Sequence, residues 1–154
     1  GQGFKLYFGG IMEVVLVYTN KDANMSNGVI NLNSDYDGLA DYDSGEVDYI
    51  EALDVIDFIP RLDLEKAIKS WVSKVCIGGR IAIGGTDLHA VCRAFHRYDI
   101  TLWDTNQLLH GDEGLPRITQ FSLIGLAELL ESFGLKILKK RLDGYMMLVE
   151  AQRV

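Results

Sequence analysis

The chain has 154 residues, 48% apolar and 24% charged, which is enough to bury one core and is unlike a disordered segment. Net charge is −7, and half of the acidic residues fall between Asp35 and Glu65, a surface that repels polyanions and argues against a nucleic-acid partner. No apolar run approaches the ~20 residues that span a bilayer, and no charged-then-apolar leader opens the sequence, so a cytoplasmic protein without a membrane anchor is expected.

In chain order, "FKLYF" (4–8) reads as a strand running into Gly9-Gly10. "VVLVY" (14–18), "VINL" (29–32) and "VDYIEAL" (47–53) follow as strands rich in β-branched and aromatic residues. In "PRLDLEKAIKSWVSKV" the apolar residues Leu64, Ala67, Ile68, Trp71, Val72 and Val75 step by three and four, the signature of one helical face. Asp63 is the expected N-cap, and Gly78-Gly79 the stop. "RIAIGG" (80–85) is another strand. "TDLHAVCRAFHRY" is a helix capped by Thr86 or Asp87, with Leu88, Val91, Cys92 and Phe95 inward. Residues 99–120 read as irregular. Ser122 then caps "LIGLAELLESF", and "LKILKKRL" and "YMMLVEAQ" flank Asp143-Gly144, the strongest short-range hairpin signal. Cys76 and Cys92 lack metal spacing and are expected as free, buried thiols. The three histidines also lack paired spacing, so no metal site is expected.

Strand–helix alternation followed by a hairpin predicts a single α/β domain over 1–154. Its sheet is expected to be Rossmann-like, mostly parallel and seven-stranded, closed by a C-terminal antiparallel hairpin. Only "IMEV" separates Gly9-Gly10 from the next strand, so the first crossover helix is missing, and with it the N-terminus that would hold a dinucleotide's pyrophosphate. That excludes nicotinamide and flavin enzymes. A ligand without phosphates does not need that helix. Asp22, at the end of the second strand, stands where open α/β sheets bind ligands and could accept both hydroxyls of a ribose; its plain alternative is a helix cap or turn.

The ordered set "KLYFGG", "YTNKD", "GEVDYIEALDVIDFIPRLDLEKAIKSWVSKVCIGGRIAIGGTDL" and "QFSLIGLAELLESFGLKIL" resembles a compact subgroup of class I S-adenosylmethionine-dependent methyltransferases, over nearly the whole chain. The resemblance implies S-adenosyl-L-methionine as cofactor. It places Gly9 and Gly10 against the methionine part, Asp22 on the ribose, and Asp35 (or Asp37, in a loose register) near the adenine amino group. Leu39 would lie under the adenine ring, with Leu53 and Asp54 bordering the methyl donor. The sequence departs from the subgroup at Ile11, which stands where a glycine belongs, and at Asp57-Phe58, which replace Glu-His.

Methyl transfer from a sulfonium asks mainly for placement and desolvation, so no catalytic motif is required. Candidates on the acceptor side are Asp54, Asp87, His89, His110 and Arg117, the last two in the irregular stretch that must cross the open end of the sheet. Trp71 and Trp103 are expected in packing, and His96 and Arg97 at the surface. The expected function is methyl transfer to a small molecule or glycan precursor, with a homodimer mate or partner completing the acceptor site. The alternative is a non-catalytic methyltransferase-like module acting through protein contacts, the reading that Ile11 favours.

Overall fold

A computed structural model describes residues 7, 8, 10–20 and 27–154. Its elements are β1 (Tyr7–Phe8), β2 (Ile11–Val17), β3 (Val29–Asn31), β4 (Val47–Ala52), a 3₁₀ turn (Ile56–Phe58), α1 (Arg61–Lys74) and β5 (Val75–Thr86). They continue with α2 (Leu88–His96), α3 (Leu102–His110), β6 (Gly111–Asp112), β7 (Leu115–Pro116), α4 (Leu123–Ser132), β8 (Leu135–Asp143) and β9 (Met146–Arg153).

Across its width the main sheet runs β3-β2-β4-β5-β9-β8. β3, β2, β4 and β5 are parallel neighbours, and β9 enters antiparallel between β5 and β8. The expected α/β class, parallel centre and closing hairpin are therefore present. The main sheet is six strands wide, not seven, because the first predicted strand contributes only the two-residue β1. β1 folds back antiparallel on the start of β2, with Phe8 opposite Ile11. The expected absence of a first crossover helix concerns the connection through Gly9-Gly10, between β1 and β2, of which Gly9 lies outside the described residues; residues 21–26, between β2 and β3, lie outside them too. No helix among the described residues is long and apolar enough to cross a membrane.

Strand pleating gives the two faces of the sheet opposite characters. Met12, Val14 and Leu16 of β2, Ile50 and Ala52 of β4, Ile81 and Ile83 of β5, and Val149 and Ala151 of β9 are buried in one cluster with Leu64, Ile68 and Trp71 of α1 and Leu126 and Leu130 of α4. The alternate positions carry Glu13, Tyr49, Arg80 and Gln152, paired across β2, β4, β5 and β9. Arg80 lies 5.4 Å from the Tyr49 ring centroid and 2.6 Å from Glu150. Parallel sheets are ordinarily covered on both faces; this one buries one face fully and leaves polar side chains on the other.

Trp71 is fully buried, as expected, and its indole donates to the carbonyls of Tyr36 and Asp37. Four other expectations need correction. Pro60, not Asp63, stands at the N-cap of α1, because the fixed backbone of proline suits a helix start. Cys76 is half-buried and Cys92 exposed, both free. α2 buries Ala90, Val91 and Ala94 instead of Cys92 and Phe95, so its inner face is rotated from the predicted one. Trp103 is 76% exposed and packs into nothing.

Asp87 joins three elements. Oδ2 accepts from Ala90 N and Oδ1 from Leu123 N, so one buried carboxylate caps the start of both α2 and α4 behind the end of β5. Asp87→Ala leaves a buried and a partly buried amide donor unpaired. It is expected to cost about 2–3 kcal/mol and lower Tm by roughly 5–10 °C in thermal unfolding.

Candidate functional site

In an open α/β sheet the ligand crevice forms at the carboxyl ends of the strands, where the strand order reverses. Here the chain steps outward from β2 to β3 and then returns to β4 on the opposite side of β2, so the reversal lies between β2 and β4. A cavity of ≈ 340 Å³ opens at that end, within the usual range for small ligands. Its lining comes from Tyr18 after β2, Asp54 and Phe58 after β4, Thr86 at the end of β5, and Met146 at the start of β9. Gln107, Leu108, Gly111, Asp112, Leu115 and Arg117 add the α3–β7 segment that crosses the opening.

Asp57 organises this wall. Its carboxylate is 1% exposed, accepts from Thr86 N at 3.1 Å and meets Arg117 Nη1 at 2.8 Å. Its backbone carbonyl accepts from both Ile118 N and Thr119 N. The same guanidinium binds Asp54 in a fork, Nη1 to Oδ1 at 2.7 Å and Nη2 to Oδ2 at 3.0 Å. Arg117 also lies 4.8 Å from the Phe58 ring centroid, and Phe58 stacks on Tyr18 at 5.1 Å and 12°. Gly85 permits the arrangement, because a Cβ there would sit 2.7 Å from Asp57 Oδ1. Burial pushes the Asp57 carboxyl above its ordinary value, against the opposing pull of Thr86 and Arg117. The hydrogen bonds that Arg117 donates to Asp54 hold its guanidinium firmly protonated.

Of the residues named from sequence, Asp54 and Arg117 meet in the cavity wall. Leu53, 45% exposed, adjoins them at the end of β4. Asp35 is exposed beyond β3 and accepts from Asp37 N. Asp37 instead accepts from Ser70 of α1, a structural contact that leaves Asp35 as the available carboxylate of the two. Gly9 and Asp22 lie outside the described residues. Gly10 is misplaced in the sequence reading: its turn (φ +83) precedes β2, roughly 20 Å along the strand from the crevice. Ile11 begins β2 at that remote end, so its departure from the subgroup pattern has no bearing on the crevice. Leu39 is fully buried in the core and presents no surface to an adenine ring. Asp87 is a double cap, and His89 and His110 are exposed outside the cavity lining.

Sequence reasoning missed Tyr18, Phe58, Thr86 and Asp57 as parts of one wall. The available signal was the polar–aromatic pair Asp57-Phe58 directly after a strand, at a place where the subgroup carries different residues. It also read 99–120 as irregular, whereas Thr101 and Asp104 form a capping box that starts α3.

No protein-family model matches the sequence, and no curated protein sequence matches it. Solved structures do. A methyltransferase from Archaeoglobus fulgidus, S-adenosylmethionine-dependent, is 10% identical with a TM-score of 0.62, over 96% of this chain and 88% of that one. Magnesium protoporphyrin IX methyltransferase from Synechocystis, with bound S-adenosylhomocysteine, is 17% identical (TM-score 0.55; 85% of this chain, 54% of that one). An O-methyltransferase family protein from Burkholderia thailandensis is 16% identical (TM-score 0.55; 82% and 36%). This chain thus spans about a third to a half of the length of the latter two. Its fold is the class I methyltransferase fold.

The Asp57–Arg117 contact gives a pH-dependent prediction. The folded state holds the Asp57 proton more tightly than the unfolded chain, whose value is near 3.8. This group's contribution to stability is therefore fullest below 3.8 and declines as pH rises through the folded value. Arg117→Met removes the compensating cation while packing volume is largely kept. The variant is expected to lose about 1–3 kcal/mol at pH 7, and less as pH falls toward 4, where Asp57 takes up a proton. Urea unfolding of both proteins across that range checks the sign.

Proposed function

We propose that the chain binds S-adenosylmethionine at the carboxyl ends of β2, β3 and β4 and transfers its methyl group to a small molecule or glycan precursor held in the cavity. One observation carries the reading: at the switch point of a class I methyltransferase sheet, a single cavity is lined by the Tyr18 ring and the Asp54 carboxylate. Both favour a cation, one through its π face and one by charge, and the methyl donor is a sulfonium. Asp54, Asp57 and Arg117 together leave one formal negative charge in that wall, so the ion pair does not cancel the preference. When bound, the cofactor supplies a methyl group already activated for transfer.

The described residues that fit the cofactor are Asp35 for the adenine amino group and Leu53 and Asp54 beside the donor. Asp22, five positions after the end of β2 in the sequence, is assigned to the ribose hydroxyls. With Gly10 withdrawn from the site, the segment directly after β2 is Tyr18-Thr19-Asn20, so an aromatic face stands where the subgroup has its glycine turn. Thr86 and the α3–β7 segment define the acceptor side, where they exclude water and set the shape of the pocket. The Synechocystis neighbour is named for a small-molecule acceptor, which supports an acceptor of that class here.

Titration calorimetry with S-adenosylhomocysteine tests the reading. Wild type is expected to bind, and saturation near 100 times Kd to raise stability by about 2.7 kcal/mol. Asp22→Ala should weaken binding by roughly 2–3 kcal/mol with little change in Tm, and Asp35→Ala by about 1 kcal/mol. Wild type that binds no S-adenosylhomocysteine at millimolar ligand overturns the enzyme reading and leaves a non-catalytic module.

A further inference from the structure

The acceptor side of the cavity mixes two kinds of side chain. Leu108, Leu115 and Met146 are apolar, and Thr86, Gln107 and Asp112 are polar. Which ligand suits it depends on which charged group is still available. Arg117, the cation of the lining, directs its guanidinium at carboxylates, Nη1 to Asp54 and Asp57 and Nη2 to Asp54 again. Both Asp54 oxygens meet that guanidinium, and Asp57 is sealed behind it. Asp112 differs. Its Oδ1 accepts from Gln107 Nε2 at 2.9 Å, and its Oδ2 has no partner among the described residues. The β6–β7 hairpin that carries Asp112 is held at both ends. Asn20, just after β2, donates through Nδ2 to Gly114 O at 3.0 Å, and Arg117 N donates to His110 O at 2.8 Å across the hairpin base. Gly111, at φ +66, makes the turn from α3 into this hairpin.

We propose that the methyl acceptor is a small amine, bound as its ammonium by Asp112 with its apolar part against Leu108, Leu115 and Met146. The proposal rests on the methyl-transfer reading of this cavity and narrows it to one class of acceptor. Asp54, Asp57 and Asp112 set three carboxylates against the one guanidinium of Arg117, whose donors are already engaged. A carboxylate or phosphate on the acceptor meets repulsion there and finds no free cation among the lining residues, which sets aside phosphate-linked glycan precursors. A hydroxyl would gain a hydrogen bond from Asp112, whereas an ammonium gains a charge-assisted one, roughly twice as strong. The same carboxylate suits the transfer. The held ammonium sheds one proton to water, the freed nitrogen lone pair bonds to the methyl carbon, and the carbon–sulfur electron pair stays with sulfur. Positive charge thus passes from sulfur to a nitrogen that Asp112 already faces.

Titration calorimetry at pH 7 with three probes that share one ring tests it: 2-phenylethylamine, 2-phenylethanol and phenylacetate, each added to protein saturated with S-adenosylhomocysteine. The amine is expected to bind roughly tenfold tighter than the alcohol, and phenylacetate to show no binding up to ~10 mM. Asp112→Asn should weaken the amine by roughly tenfold and erase its lead over the alcohol. S-adenosylhomocysteine affinity and Tm should stay unchanged in that variant, because the side chain is exposed and the amide oxygen can still accept from Gln107. Asp112→Glu should restore most of the preference. An amine that binds no better than the alcohol overturns the proposal, as does an amine preference that survives Asp112→Asn. Failure of S-adenosylhomocysteine to bind is a separate result: it removes the methyl-transfer reading, and the same three titrations on the free protein still decide whether Asp112 holds an amine.

Discussion

The buried carboxylate of Asp57 is the constraint on which the open end of this molecule depends. A charge removed from water must be answered by donors at close range, and the chain answers it from β5 through Thr86 N and from the crossing segment through Arg117. The backbone carbonyl of the same residue takes two further amides, from Ile118 and Thr119, while the Thr119 hydroxyl donates to Ile59. One short turn after β4 therefore fixes where the returning loop sits, and that loop builds one side of the cavity. Gly85 is part of this constraint, because any side chain there would displace the carboxylate.

Arg117 carries two loads at once. It neutralises part of the acidic wall and lies against Phe58, which in turn stacks on Tyr18. Positions that a ligand would use are thus held by side chains that also hold each other. This couples the shape of the cavity to the ion pairs in its wall: loosening Arg117 loosens Phe58 and Tyr18. The coupling also accounts for a polar network in a place where simple packing would serve stability equally well, since a geometric specification is what the network adds.

The two faces of the sheet record a different compromise. Parallel strands bury both faces when crossover helices lie on each side. Here α1 and α4 share one cluster with the apolar face, and the opposite face retains Glu13, Tyr49, Arg80 and Gln152 in register. Cross-strand pairing such as Arg80 with Glu150 and Tyr49 gives those positions partners within the sheet itself. The basic edge strand β8, with Lys136, Lys139, Lys140 and Arg141 exposed and a register shift between Ile137 and Lys139, resists further pairing in the way edge strands commonly do.

Local pattern determined the parts whose physics is local. The three-and-four spacing from Leu64 to Val72, the Ser122 cap, the Asp143-Gly144 turn and the β-branched runs at 14–18, 29–32 and 47–53 each settle an element through neighbours in sequence, and each is present. The order of those elements also predicted the α/β class and the terminal hairpin. Tertiary structure alone decided which end of which strand a motif occupies. Gly9-Gly10 looked like a cofactor turn because it follows a strand, yet β1 is two residues long and folds back on β2, which moves Gly10 to the amino end of the sheet. Leu39, Asp87 and Trp103 were misjudged for the same reason: burial and partners come from segments tens of residues away. The wall of Tyr18, Asp54, Asp57, Phe58, Thr86 and Arg117 gathers residues up to 99 positions apart, and no spacing rule reaches that far. Short-range periodicity reports only which faces a segment has, whereas the sheet order and the desolvation of one carboxylate decide what those faces meet.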